Sequence, residues 1–245
     1  MTYRILTLFS FFTVFFSFTN TDGHNISEIT KLTEPISEVS NISLTLDEEI
    51  TQLYDVFVEN NPSVPNLKSF KNGLIGYYKL ADNNLIDKQI LTIIDFSLSS
   101  KKKRMWVMDM AKNKILYHTV VSHGKNTGSE FATHFSNKKN SLESSLGFFI
   151  TGETYFGKNG LSLFIDGMEK QFNSNARERY VVIHGATYAN PSVIKNLGRL
   201  GRSYGCPALP MAVSQEIIDL IKNKSVLYIY SDDKTYAKNS KMIQA

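Results

Sequence analysis

Residues 181–185 read VVIHG. Val181, Val182 and Ile183 are all β-branched, and a short run of such residues makes a strand buried in a sheet. His184 falls where that strand leaves the sheet, and Gly185 lets another stretch of backbone approach closely. A lone histidine at a strand end is ordinarily a hydrogen-bonded structural residue, so its meaning depends on what the rest of the chain brings to it.

Working outward, Tyr180–His184 is one strand in a series. Ile90–Ser97, Arg104–Met110, Ile115–Val121, Leu146–Thr151, Leu161–Phe164 and Val226–Tyr230 are short apolar or alternating runs between polar turns. Two helices interrupt the late strands. Pro191–Leu197 has Asn190 as N-cap, proline at its first position and Gly198 beyond its end. Ser214–Asn223 opens on Ser214, with Gln215 and Glu216 in the first turn. Before the strands lie two helical segments. Thr45 and Glu48 form a capping box ahead of Leu46, Ile50, Leu53, Tyr54 and Phe57 at helical spacing. NNPSVP (60–65) ends that helix, and a second runs from Asn66 to about Leu80. The expected fold is β-rich α+β, a small helical extension (45–88) followed by the main domain (89–232) and a tail (233–245).

The chain's opening has a different character. Arg4 is followed by an uncharged, Phe-rich run to Thr21, the pattern of an export signal over residues 1–20. It is shorter and more interrupted by Ser and Thr than a bilayer span. No small-x-small cleavage site stands out, so cleavage and retention as an anchor both stay open. Absence of a cysteine after the run excludes a lipid-anchored form. Residues 21–44 are polar and read as a linker. Their two sequons, at Asn25 and Asn41, are triplets common by chance. An exported, periplasmic or cell-envelope protein is expected.

Such proteins usually form disulfides, yet Cys206 is the only cysteine in 245 residues. It cannot be bridged within the chain, which leaves a reactive thiol, an intermolecular bond or a buried inert residue. Its setting is GRSYGCPALP (201–210). Gly201 and Gly205 permit backbone angles at which successive N–H groups converge on one point. Pro207 and Pro210 stiffen the chain beyond the thiol. Thiol chemistry needs a thiolate, a proton acceptor and donors for an oxyanion. With only five histidines and one cysteine present, the pairing of Cys206 with His184 is the chemical hypothesis the sequence favours. An imidazole beside the thiol would lower its pKa and shuttle its proton.

Composition narrows the partners. With 27 Lys and Arg against 23 Asp and Glu, the formal charge is +4 and the basic residues are scattered. That is not the basic face of a nucleic-acid binder, and Lys101–Arg104 reads as a solvated turn. Phosphate-cradling loops, dinucleotide fingerprints and Cys or His pairs at metal-ligand spacing are all missing.

The His184-Gly185 pair and the Ser203-Tyr204-Gly205-Cys206 run resemble the His-Gly … Ser-x-Gly-Cys motif of the L,D-transpeptidase (YkuD-like) family. SHGKNTG (122–128), residues 135–169, NARERYVVIHGA (175–186) and GRLGRSYGCPAL (198–209) are similar to its murein-acting branch common in Bacteroidetes-type bacteria, in the same block order. The likeness covers roughly residues 45–230. It implies a β-sandwich with a mixed sheet and short helices, and an enzyme acting on peptidoglycan stem peptides without metal or organic cofactor. By the same resemblance Cys206 is the nucleophile and His184 the general base, oriented by the carbonyl of Gly185. Backbone N–H groups of Tyr204, Gly205 and Cys206 form the oxyanion hole, and Ser203 braces the loop or touches substrate. A 3→3 cross-link is the implied product, with hydrolysis of the acyl-enzyme, or peptidoglycan binding without catalysis, as alternatives. The chain departs from the family where an arginine usually follows the cysteine. Cys206-Pro207-Ala208-Leu209 stands there, so Arg202 or Arg199 is expected to take that arginine's place.

Other residues carry weaker expectations. His123 lines the cleft or makes a structural hydrogen bond. His134, Asn137 and Ser141 lie in a polar loop read as solvated. His118, Trp106, Tyr155 and Phe156 are expected in the core, with Gly157 at a turn.

Overall fold

The computed structural model describes residues 45–244, so the signal, linker and sequon readings lie outside the described residues. Helix α1, Leu46–Asn60, begins on the expected capping box, with the Glu48 N–H donating to Thr45 Oγ1 and the Glu48 carboxylate accepting from the Thr45 N–H. Helix α2, Leu67–Asp82, is capped by the Asn66 side chain. The two pack edge-to-face through Phe57 and Phe70, centroids 5.3 Å apart.

The remaining strands form one mixed sheet of eight. They are β1 (Ile90–Asp95), β2 (Met105–Asp109), β3 (Lys114–Thr119), β4 (Gly147–Gly157), β5 (Gly160–Gly167), β6 (Val182–Gly185), β7 (Ala208–Leu209) and β8 (Val226–Tyr230). The order is β3-β2-β1-β8-β4-β5-β6-β7; β1 with β8 and β6 with β7 are parallel, and the other pairs antiparallel. β3 and β7 are opposite edges, yet Ser122, just beyond β3, bridges to Ala208 in β7. The sheet therefore curls until its edges meet. Helices α1 and α2 share one hydrophobic core with the sheet, including Phe57, Phe70, Ile93, Phe148 and Tyr228.

α2 reaches that core through its glycines. A side-chain carbon on Gly76 would collide with the tip of the Phe148 ring, which is fully buried and stacked on Tyr228 at 4.3 Å. Gly76→Ala is therefore expected to destabilise the protein. Overpacking costs about 1–3 kcal/mol, which outweighs the ~1 kcal/mol that alanine gains over glycine in a helix. Chemical denaturation reads the sign.

Three sequence expectations change. Helix α4 runs Met211–Ile221, not from Ser214, because Pro210 fixes the entry angle; Ser214 lies inside the helix and is buried. β4 and β5 extend into a hairpin that projects past its neighbours. Tyr155 is consequently only half-buried, stacked on Phe164 at 4.6 Å, and Phe156 is 84% exposed rather than core. Residues after 232 include a helix, α5 (Lys234–Asn239), capped by Asp233. Its buried Tyr236 donates to the carboxylate of Glu169, which also accepts from Ser240 Oγ–H and the Phe148 N–H. Helix α3, Pro191–Leu197, forms as the sequence indicates, with Gly198 left-handed at φ 65°.

Candidate active site

The thiol loop hangs between two supports. On one side Ser203 pairs with the segment after β3. Its N–H donates to His123 O at 2.9 Å, and the Lys125 N–H donates to Ser203 O at 2.8 Å. On the other, the 141–144 turn lies against Gly205, whose carbonyl accepts from Ser144 Oγ at 3.0 Å. Gly205 has φ +128°, and a side chain there would begin 2.9 Å from Glu143 O. Only glycine satisfies both constraints. Ser203 braces the turn from within, its hydroxyl donating to Cys206 O at 2.6 Å and accepting the Gly205 N–H at 3.0 Å.

β6 and the segment leading into β7 then bring imidazole and thiol to neighbouring stretches of chain. His184 pairs with Ala208 in parallel register, so Cys206, two residues before Ala208, lies level with Val182. The contacts agree. The Val182 N–H donates to Cys206 Sγ, and the thiol donates to Tyr180 O, both at 3.5 Å. His184 and Val182 are two residues apart and share a face of β6, roughly 7 Å along the strand. The His184 ring is buried, and its Nδ1 lies 2.9 Å from Gly185 O. A carbonyl only accepts, so Nδ1 carries the proton and Nε2 is left basic. Helix α4 closes this end of β6, since any side chain at Gly185 would collide with Ser214.

Burial sets the resting protonation. It pushes the Cys206 thiol up, and the Val182 N–H, Arg179 and the Cys206 N–H pull it partly back. Burial pushes His184 down, against the opposing bond to Gly185. Both shifts favour the neutral thiol and the neutral imidazole.

The expected oxyanion donors are not equivalent. The Gly205 N–H is committed to Ser203 Oγ. The N–H groups of Tyr204 and Cys206 have no acceptor in another residue among the described residues, so they, and not Gly205, are the donors open to a ligand. Nor do Arg199 and Arg202 turn to the thiol. Arg199 donates to Leu200 O, and Arg202 to Lys125 O and Gly128 O.

A family comparison fits this geometry. The model for the L,D-transpeptidase catalytic domain matches residues 61–230. The chain belongs to that family. No curated protein matches it. Among solved structures, it is 12% identical to an L,D-transpeptidase from Mycobacterium smegmatis, with TM-score 0.36 and 58% of each chain covered. It therefore spans about three fifths of that protein's length. It is also 12% identical to an L,D-transpeptidase from Stackebrandtia nassauensis (TM-score 0.35, 66% of this chain and 67% of that one). For one from Xylanimonas cellulosilytica the identity is 11% (TM-score 0.35, 76% and 92%).

Within this L,D-transpeptidase domain, one arginine escaped the sequence reading and another corrects it, since Arg104 is buried and not part of a solvated Lys101–Arg104 turn. Arg179 lies beside the thiol loop. Arg104 is fully buried and donates to Val121 O, Leu98 O and His123 Nδ1, the last at 2.8 Å. His123 is thus a buried prop for the segment that holds Ser203. Of the loop residues, Ser141 accepts from Arg179 at 3.0 Å and Asn137 holds Asn175 and Ser174, while His134 is exposed. His118 stacks on Trp106 at 4.7 Å.

His123 is expected to make the domain acid-sensitive. Burial, then the charge of Arg104, pushes its pKa down to about 4. In the unfolded chain a histidine titrates near ~6.5, so between these values the unfolded state binds the extra proton and stability rises with pH. This contribution is complete above the unfolded value and is lost as pH falls toward the folded one, at most about 3 kcal/mol. In denaturant titrations across that window, His123→Gln should lose correspondingly less stability than the wild type.

Proposed function

We propose that this protein is an exported cysteine acyltransferase that rearranges peptidoglycan stem peptides, forming 3→3 cross-links. The observation that carries this reading is the β6–β7 register. It sets Cys206 level with Val182, two residues before a histidine whose proton is held on Nδ1, beside two N–H groups with no acceptor in another described residue. Family membership gives the substrate class its support.

In the proposed reaction the Cys206 proton passes to His184 Nε2. The sulfur attacks the carbonyl carbon that follows the L-centre of a stem's diamino acid, and the carbonyl oxygen takes up negative charge facing the Tyr204 and Cys206 N–H groups. The C–N bond breaks, His184 returns the proton to the departing amine, and the terminal D-residue leaves. A side-chain amine of a second stem then attacks the thioester, forming the new amide and restoring the thiol. Such a substrate lies outside the cytoplasmic membrane, where the apolar opening segment would deliver the chain.

Incubation with tetrapeptide-stem muropeptides, and analysis of the products, tests the reading. Dimers joined 3→3 with released D-residue are expected. Tripeptide monomers alone would make water the acceptor, and unchanged muropeptides retained on the protein would make it a binding module.

A further inference from the structure

We propose that Arg179 is a positioning residue for the nucleophile, its guanidinium acting through space as the fixed counter-charge of the Cys206 thiolate. This rests on the reading of Cys206 as the reacting group.

The geometry of Arg179 is unusual for a half-buried cation. Nη1 donates to Ser136 O at 2.7 Å and to Ser145 Oγ at 2.6 Å. Nη2 donates to Ser141 Oγ at 3.0 Å and to Glu143 O at 2.7 Å. All four acceptors are neutral. Arg177, two residues earlier, takes both Glu153 and Asp166, whereas no carboxylate oxygen of a described residue lies within 4.0 Å of Arg179. Its charge therefore has no contact ion pair among the described residues, and the Glu143 carboxylate reaches it only through space. It is also aimed: Nη2 lies 3.7 Å from where a side chain on Gly205 would start, next to Cys206 in the chain. Tyr180, adjacent to Arg179, supplies the carbonyl that holds the thiol proton.

The other groups around the thiol supply no comparable charge. His184 on β6 is pushed toward its neutral form by burial. Tyr188, in the turn after β6, is pushed well above the ordinary phenol range, first by burial. Tyr204 is exposed, with Lys125 Nζ over its ring at 4.8 Å. Arg202 is held to Lys125 O and Gly128 O. Glu143 meets Arg179 through its backbone carbonyl, and its carboxylate acts on the guanidinium through space, more weakly than the thiolate does. The coupling is reciprocal, Arg179 favouring the thiolate and the thiolate favouring the guanidinium. With its four Nη hydrogens taken, Arg179 is better placed to set the field at sulfur than to grip a substrate carboxylate.

Arg179 also clasps the 136–145 segment, in which Asn140 and Leu142 are left-handed at φ 60°. A structural role alone would explain lost stability, so the test must read ionisation. The rate of Cys206 alkylation by iodoacetamide is measured against pH in the full protein, with circular dichroism reporting folding. Arg179→Gln should raise the midpoint and slow alkylation about tenfold at neutral pH, whereas Arg179→Lys, which keeps the charge, should titrate close to the wild type. Ser141→Asp neutralises the guanidinium where it stands and should also raise the midpoint; Ser141→Asn should not. A folded Arg179→Gln with the wild-type profile overturns the proposal. If that variant does not fold, a wild-type profile in Ser141→Asp overturns it. Wild-type protein that turns over no stem peptide, yet shows these alkylation shifts, would refute the acyl-transfer reading and leave the pairing standing.

Discussion

Cys206→Ala is expected to fold normally and to lose acyl-enzyme formation entirely. The two expectations have separate grounds. Among the described residues the thiol makes two sulfur hydrogen bonds to other residues, both at 3.5 Å, and the turn around it is held by Ser203, Ser144 and the backbone pairing with the 123–125 segment. Removing one sulfur should therefore cost about 1 kcal/mol or less, within the ordinary range for a weakly bonded side chain. Chemistry has no such redundancy, because no other cysteine exists to form the thioester. Thermal unfolding and the intact mass after exposure to a tetrapeptide stem separate the two. Loss of the fold together with the adduct would make Cys206 a structural residue.

His184→Ala should slow acylation by about 10²–10⁴-fold, the usual range for removing a general base. The variant also leaves the Gly185 carbonyl without its donor, a cost of about 1–3 kcal/mol, so rates must be compared where both proteins are folded. The pH profile carries the sharper signature. Burial holds His184 below the ordinary imidazole range, so Nε2 remains available as a base to lower pH than a solvent-exposed histidine would. The acid limb of acylation should therefore fall below ~6.5, and His184→Ala should abolish that limb. An unchanged limb in the variant would assign it to another group.

The parts of this site legible in the sequence were those written in local chemistry. The β-branched run 181–183 announced β6, and the glycine at 205 announced a turn no other residue could make. The capping box at Thr45 and the proline at 191 located helix starts to the residue. What sequence did not reveal depends on contacts between distant segments. Gly205 looked like an oxyanion donor until its N–H was found bonded to Ser203. Arg179 is one of several arginines, and its place beside the thiol comes from a turn ending in left-handed Tyr180, φ 53°. Arg199 and Arg202, nearer to Cys206 in the chain, are drawn aside by backbone carbonyls. Phe156 reads as core by composition, yet it sits on a hairpin arm that no layer covers.

Acylation of Cys206 by a stem peptide, with His184 as proton acceptor, is the step on which the whole proposed mechanism depends. Rapid quenching of the protein with a tetrapeptide donor, then intact-mass and peptide-level mass spectrometry, tests it most directly. The predicted result is a single adduct on the Cys206 peptide, heavier by the donor minus its terminal D-residue, present in the wild type and strongly delayed in His184→Ala. An unmodified Cys206 beside processed donor, or an adduct forming equally fast without His184, would contradict it.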